Sequence, residues 1–150
     1  MKYPLIILSV FFLVATACNK DKFTTVPQVK IKSITPETVY QGNIIELKGS
    51  FTDEEGDIDT VAIVYKWYNG NTAVFTDTFK RTLSAISVPE NTRSADLVIS
   101  FEYNSNNTNY SFLPGVAFND TTAAFGLLLI DKKGNRSEYK ESDKIRLKKS

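Results

Sequence analysis

From Val26 onward, apolar and polar residues alternate along the chain, and the alternating runs are separated by stretches containing Gly, Pro, Asn or Asp. A period of two places successive side chains on opposite faces of an extended strand. Val29 and Ile31 alternate with Lys30 and Lys32, in a strand that ends near Pro36. Ile45, Leu47, Gly49 and Phe51 alternate with Glu46, Lys48 and Ser50. The longest run covers 58–68, with Val61, Ile63, Tyr65 and Trp67 on one face. Asn69-Gly70 predicts a two-residue hairpin loop, because both positions accept positive φ at little cost. The loop leads to a strand over 73–79, and a weaker one is expected over 83–88. Leu97, Ile99, Phe101 and Tyr103 make another stripe, as do Phe125, Leu127 and Leu129. A turn over 131–135 then connects toward a last strand holding Ile145 and Leu147 between Lys144, Arg146 and Lys148. The basic positions of that strand read as a wet face that also guards a sheet edge.

No segment offers a helical face, and the strands follow one another without crossover helices. The expected architecture is therefore all-β: a single antiparallel immunoglobulin-like β-sandwich of seven to eight strands over 26–150. The lone Trp67, on a central strand, is expected between the two sheets. Residues 104–122, rich in Asn, Ser and Thr, break the alternation. They form either a long mobile or functional connection or one that hides a short strand over 110–113.

The first seventeen residues have a different character. Lys2 is followed by an apolar run over 5–15, interrupted only by Ser9 and too short for a membrane span, which needs about 20 apolar residues. Ala15, Thr16 and Ala17 then precede Cys18, the only cysteine. This order resembles the lipobox of bacterial lipoproteins, although Ala15 stands where that family usually carries Leu. The resemblance implies cleavage before Cys18, lipid on its sulfur and acylation of its new amino terminus. It also implies the membrane itself as a partner. Asp21 between Lys20 and Lys22, just after the cysteine, resembles the residues that mark transport to the outer cell surface in some Gram-negative lipoproteins, so the expected location is the cell envelope, at the outer membrane. The alternative is an ordinary secretory signal cleaved after Ala17, leaving a free thiol. A lone cysteine in an oxidising compartment is better explained as an attachment point. The expected domains are thus a signal peptide over 1–17, a lipid-anchored tether over 18–25, and the sandwich.

Without Lys2, basic and acidic side chains balance at seventeen each. The near-neutral chain offers no basic excess for nucleic acid. The absence of histidine excludes His/Cys zinc sites, Ser-His-Asp triads and Cys-His dyads.

The stretch FTDEEGDIDTVAIVYKW over 51–67 resembles the strand, acidic turn and strand of bacterial PKD-like and related immunoglobulin-like repeats. LLLIDKKGNRSE over 127–138 resembles the closing hairpin of bacterial Ig-like and fibronectin-III-like domains. Both resemblances concern fold, and fold does not carry function. The candidate chemistry lies in Asp53, Glu54, Glu55, Asp57 and Asp59, gathered around Gly56. Calcium takes six to eight hard oxygen ligands, and a carboxylate-rich turn supplies them. The sixth position counted from Asp53 is Ile58 rather than glycine, so the turn is no EF-hand. Asp131 is a candidate helper ligand if its turn lies at the same end. The competing reading is a solvated hairpin turn in which Gly56 supplies positive φ. Carboxylates crowded into one turn lack the opposed, buried geometry of a glycosidase pair. The chain is therefore expected to be a membrane-anchored, non-enzymatic extracytoplasmic binding or accessory module for a protein or glycan ligand. A calcium-stabilised structural module and an unrecognised hydrolase are the alternatives. Tyr68, Tyr103, Tyr110 and Phe112 are the aromatic residues expected near loops, where rings can stack on a ligand.

Overall fold

The hydrophobic stripes become the facing surfaces of two sheets. The computed structural model describes residues 24–106 and 110–149, so the 1–17 segment, Cys18 and most of the expected tether lie outside the described residues. Its strands are β1 (Gln28–Thr35), β2 (Thr38–Val39), β3 (Ile44–Thr52), β4 (Ile58–Asn69), β5 (Thr72–Arg81), β6 (Ser94–Tyr103), β7 (Ser111–Leu113), β8 (Thr121–Asp131), β9 (Lys140–Glu141) and β10 (Ile145–Leu147). One sheet has the order β1-β3-β6-β7; the other runs β2-β10-β8-β4-β5, with β9 alongside β8. Leu47, Leu97 and Phe101 from the first sheet join Ile63, Tyr65 and Leu127 from the second in one buried core. The chain is an all-β, immunoglobulin-like sandwich.

Several details differ from the sequence reading. The described residues hold ten strands, because β2 and β9 have only two residues each and leave no periodic signal. Two pairings are parallel, β6 with β7 and β10 with β2, so the sheets are mixed rather than purely antiparallel. β10 is accordingly flanked by β2 and β8 and is not the bare edge its basic residues suggested. The weak strand expected over 83–88 is a single helical turn at Ser84–Ile86. Leu83 and Val88 are five positions apart and would face opposite ways on a strand. The turn lets both be buried. The hairpin loop falls on Gly70-Asn71, one residue later than expected, because Asn69 is still paired with Thr72; a bulge at Trp67/Tyr68 leaves Val74 without a partner on β4. Gly70 takes the positive φ, +58°.

Trp67 is not the central core residue. It is half-buried, near the end of β4, where residues 72–78 of the partner strand β5 are all exposed. The indole packs on Phe75 at 4.7 Å between ring centroids and meets Tyr65 edge-on at 5.8 Å. Tyr65, two residues earlier on the same face, is fully buried and stacks on Phe125 at 5.0 Å.

Candidate metal centre in the acidic turn

The turn between β3 and β4 is held in place by its backbone. The Asp53 N–H donates to the Arg93 carbonyl at 2.8 Å, and the Glu54 N–H to the Thr24 carbonyl at 3.2 Å. The Asp57 carbonyl accepts from the Lys132 N–H at 2.9 Å, which joins the turn to the one after β8. Gly56 has φ +68°, and a Cβ there would stand 2.8 Å from the Asn91 carbonyl oxygen, so only glycine fits.

This frame turns three carboxylates toward one point. Asp53, Glu55 and Asp57 each place an oxygen within 4.8 Å of the others. Asp53 is 0 % exposed, an unusual place for a charged group without a cation. Its Oδ2 accepts the Asp57 N–H at 2.9 Å, while its Oδ1 is buried with no hydrogen-bond partner. Glu55 Oε1 pairs with Lys133 Nζ at 3.0 Å, and Glu55 Oε2 is again buried and unpartnered. Asp57 Oδ1 is the third such oxygen. Burial pushes the Asp53 carboxyl above its ordinary range, aided by the charges of Asp57 and Glu55 and opposed by the Asp57 N–H. The Glu55 carboxylate holds the Lys133 ammonium above its usual range. Among these partners one lysine faces three acids, and three buried oxygen lone-pair sites point inward. That donor set suits a hard divalent cation such as calcium.

Two of the expected ligands stand apart from this group. Asp59 lies exposed on β4, where its Oδ2 accepts from Thr60 Oγ1 at 2.8 Å. Asp131 does share the same end of the sandwich, but both its oxygens are already used. Oδ1 accepts the Lys133 and Asn135 N–H groups at 2.9 and 2.8 Å, and Oδ2 accepts Asn135 Nδ2 at 2.7 Å. Burial would raise its carboxyl, but these hydrogen bonds outweigh it and leave Asp131 below the ordinary range. Asp131 organises its own turn.

A second polar cluster was invisible in the sequence. Glu141 on β9 accepts from Tyr68 OH at 2.6 Å and from both Lys66 Nζ and Tyr139 OH at 2.5 Å. Lys144 Nζ lies 4.0 Å over the Tyr68 ring and occupies one of its faces. Tyr103 is fully buried rather than near a loop surface, its hydroxyl donating to the Lys148 carbonyl at 2.8 Å and accepting from the Val116 N–H at 3.1 Å. Tyr110 and Phe112 are exposed, as expected.

No family model and no curated protein matches the chain. Among solved structures it is similar to Spo0M, a sporulation control protein from Bacillus subtilis, at 9% identity and TM-score 0.44 over 85% of this chain. The chain spans about half of that protein, 51% of its length. It is also similar to the alkylpurine DNA glycosylase AlkC of Pseudomonas fluorescens, solved bound to DNA containing an abasic site analog. That match has 12% identity and TM-score 0.40, over 79% of this chain and 30% of the glycosylase. A third is a CARDB domain from Pyrococcus furiosus in complex with di-metal ions, at 9% identity and TM-score 0.31, over 86% of this chain and 93% of the domain. The expectation that the chain is not an enzyme is corrected here: a DNA glycosylase stands among its structural neighbours, so that exclusion is withdrawn. At these TM-scores the likenesses transfer no activity, ligand or metal to this chain.

Proposed function

We propose that this chain is an envelope-anchored module whose immunoglobulin-like domain takes up a calcium ion at the 53–57 turn and serves as a binding or accessory unit for a protein or glycan partner. The three buried, unpartnered oxygens of Asp53, Glu55 and Asp57 carry the cation reading. A bound divalent ion would satisfy all three at once, and a purely solvated turn would keep them in water. The short apolar run before Cys18 supports the anchor, since lipid on that residue with acylation of its amino terminus supplies the two or more chains that stable attachment needs. The domain then sits outside the cytoplasm, where millimolar calcium suits a weak site.

Calorimetric titration of the purified lipoprotein with calcium tests the site. One equivalent should bind with a Kd of about 0.1 to 1 mM, the range of extracytoplasmic calcium modules. Asp57→Asn should abolish the heat, and an unchanged titration in that variant refutes the assignment. Labelling with a clickable fatty acid tests the anchor separately. Cys18→Ser should lose the label and accumulate uncleaved precursor. A Cys18→Ser protein that is still cut and released would show an ordinary secretory signal.

A further inference from the structure

Between β5 and β6 the two sheets are joined by the connection that holds the Ser84–Ile86 turn, which neighbours β6, rather than by strand pairing. β5 ends its sheet, and β7 pairs only with Phe101, Glu102 and Tyr103 of β6. Residues 94–100 of β6 therefore carry an unpaired backbone edge among the described residues, although their other edge is fully laddered to β3. A cleft of about 520 Å³ runs along this edge, with Ile63, Phe79, Ile86 and Phe101 forming an apolar wall. Half-buried Arg81 closes one end. Its guanidinium bonds two neutral acceptors, the Lys80 carbonyl at 3.0 Å and Ser111 Oγ at 3.1 Å, and no carboxylate among the described residues pairs with it. The acid on this mouth, Asp96, is already bonded to Lys32 Nζ at 2.6 Å.

The geometry points to a peptide-binding site: an extended segment of a partner protein adds to the β6 edge in line with β7, and Arg81 receives its C-terminal carboxylate. Three observations fix that choice. β7 shows that this edge accepts a parallel strand, so the backbone groups are suitably presented for strand addition. A guest running the same way along residues 96–100, about 16 Å of strand, meets Ser111 at the start of β7 and must stop there. Arg81 bonds that same serine, so the guest's last residue arrives at an uncompensated cation. An antiparallel guest would instead bring its terminal ammonium to Arg81, which like charge disfavours. Alternate guest side chains would enter the apolar wall or face water, which is the usual basis of specificity in strand addition.

Site-specific photocrosslinking in the native envelope tests this with the full-length protein. p-Benzoylphenylalanine in place of Val98, which is 52% exposed on the mouth of the cleft, should give adducts with a partner chain. Mass spectrometry should map them to that chain's last six or so residues. The same reagent in place of Val74, 61% exposed on β5 away from the cleft, should not give them. Arg81→Gln should lower the Val98 adduct at least fivefold, and Arg81→Lys should largely retain it. Thermal melting of Arg81→Gln confirms that the loss is not unfolding. Adducts to internal segments, to this chain itself or to a fatty carboxylate overturn the proposal, as does an Arg81-independent yield or the absence of any adduct.

Discussion

Asp53→Asn should change the stability of the domain in opposite directions with and without calcium. Burial raises the Asp53 carboxyl, so folding favours its protonated form. Stability linked to this group is then present at low pH and is lost as pH rises through the carboxylate range. At neutral pH without a cation, the ionised carboxylate weakens the fold, with Glu55 and Asp57 adding repulsion. Asparagine keeps an acceptor for the Asp57 N–H, now at 2.9 Å, and removes the charge. In chelator the variant should therefore melt at or above the temperature of the parent. Calcium reverses the order. At about 10 mM free calcium and a Kd near 1 mM, RT ln(1 + [L]/Kd) gives the parent roughly 1.4 kcal/mol. For a domain of this size that is a rise of about 4 to 6 °C. Asparagine supplies no negative ligand, so the variant should show almost none of it and the two melting curves should exchange places. Differential scanning calorimetry in chelator, calcium, magnesium and matched sodium chloride reads the effect. Magnesium should not reproduce it, because it gives up its water reluctantly. Equal responses to calcium and to matched salt would reduce the effect to screening and refute the cation site.

Three further outcomes follow from particular contacts. Tyr65 has a buried hydroxyl with no partner, so Tyr65→Phe should hold or raise the melting temperature, and a loss above about 1 kcal/mol would mean the hydroxyl is bonded. Gly56→Ala forces a side chain into the left-handed region and against the Asn91 carbonyl, and should cost about 1 to 3 kcal/mol by denaturant titration, whereas an unchanged midpoint would place the turn elsewhere. Asp131 is held below the ordinary carboxylate range by its turn, so its stabilisation is complete above the unfolded value and lost as pH falls through the folded one. Asp131→Asn should accordingly destabilise at pH 7, with the gap to the parent closing below about pH 4; a gap independent of pH would refute the charge-based account.

The alternation of Ile45 to Phe51 and of Val61 to Trp67 was enough to define long strands and their buried faces, because period two is a local property of extended backbone. Glycine and aspartate positions likewise marked the turns at 70 and 131–135, since those residue types meet local φ and hydrogen-bond demands. The acidic cluster was visible as composition, but its useful members were not. Asp59 shares the spacing yet points into solvent from β4, and Asp131 is consumed by Asn135 and Lys133; only the packing of three turns at one end separates them from Asp53, Glu55 and Asp57. The same holds for Glu141, whose partners Lys66 and Tyr68 are 75 and 73 residues away, and for Trp67, whose burial depends on how the rings of Tyr65 and Phe75 pack around it. Strand formation is decided by neighbours in sequence, so the chain alone determined it. Sheet order, edge exposure and the convergence of charges depend on non-local pairing, which no local pattern encodes, so those were decided by the tertiary structure.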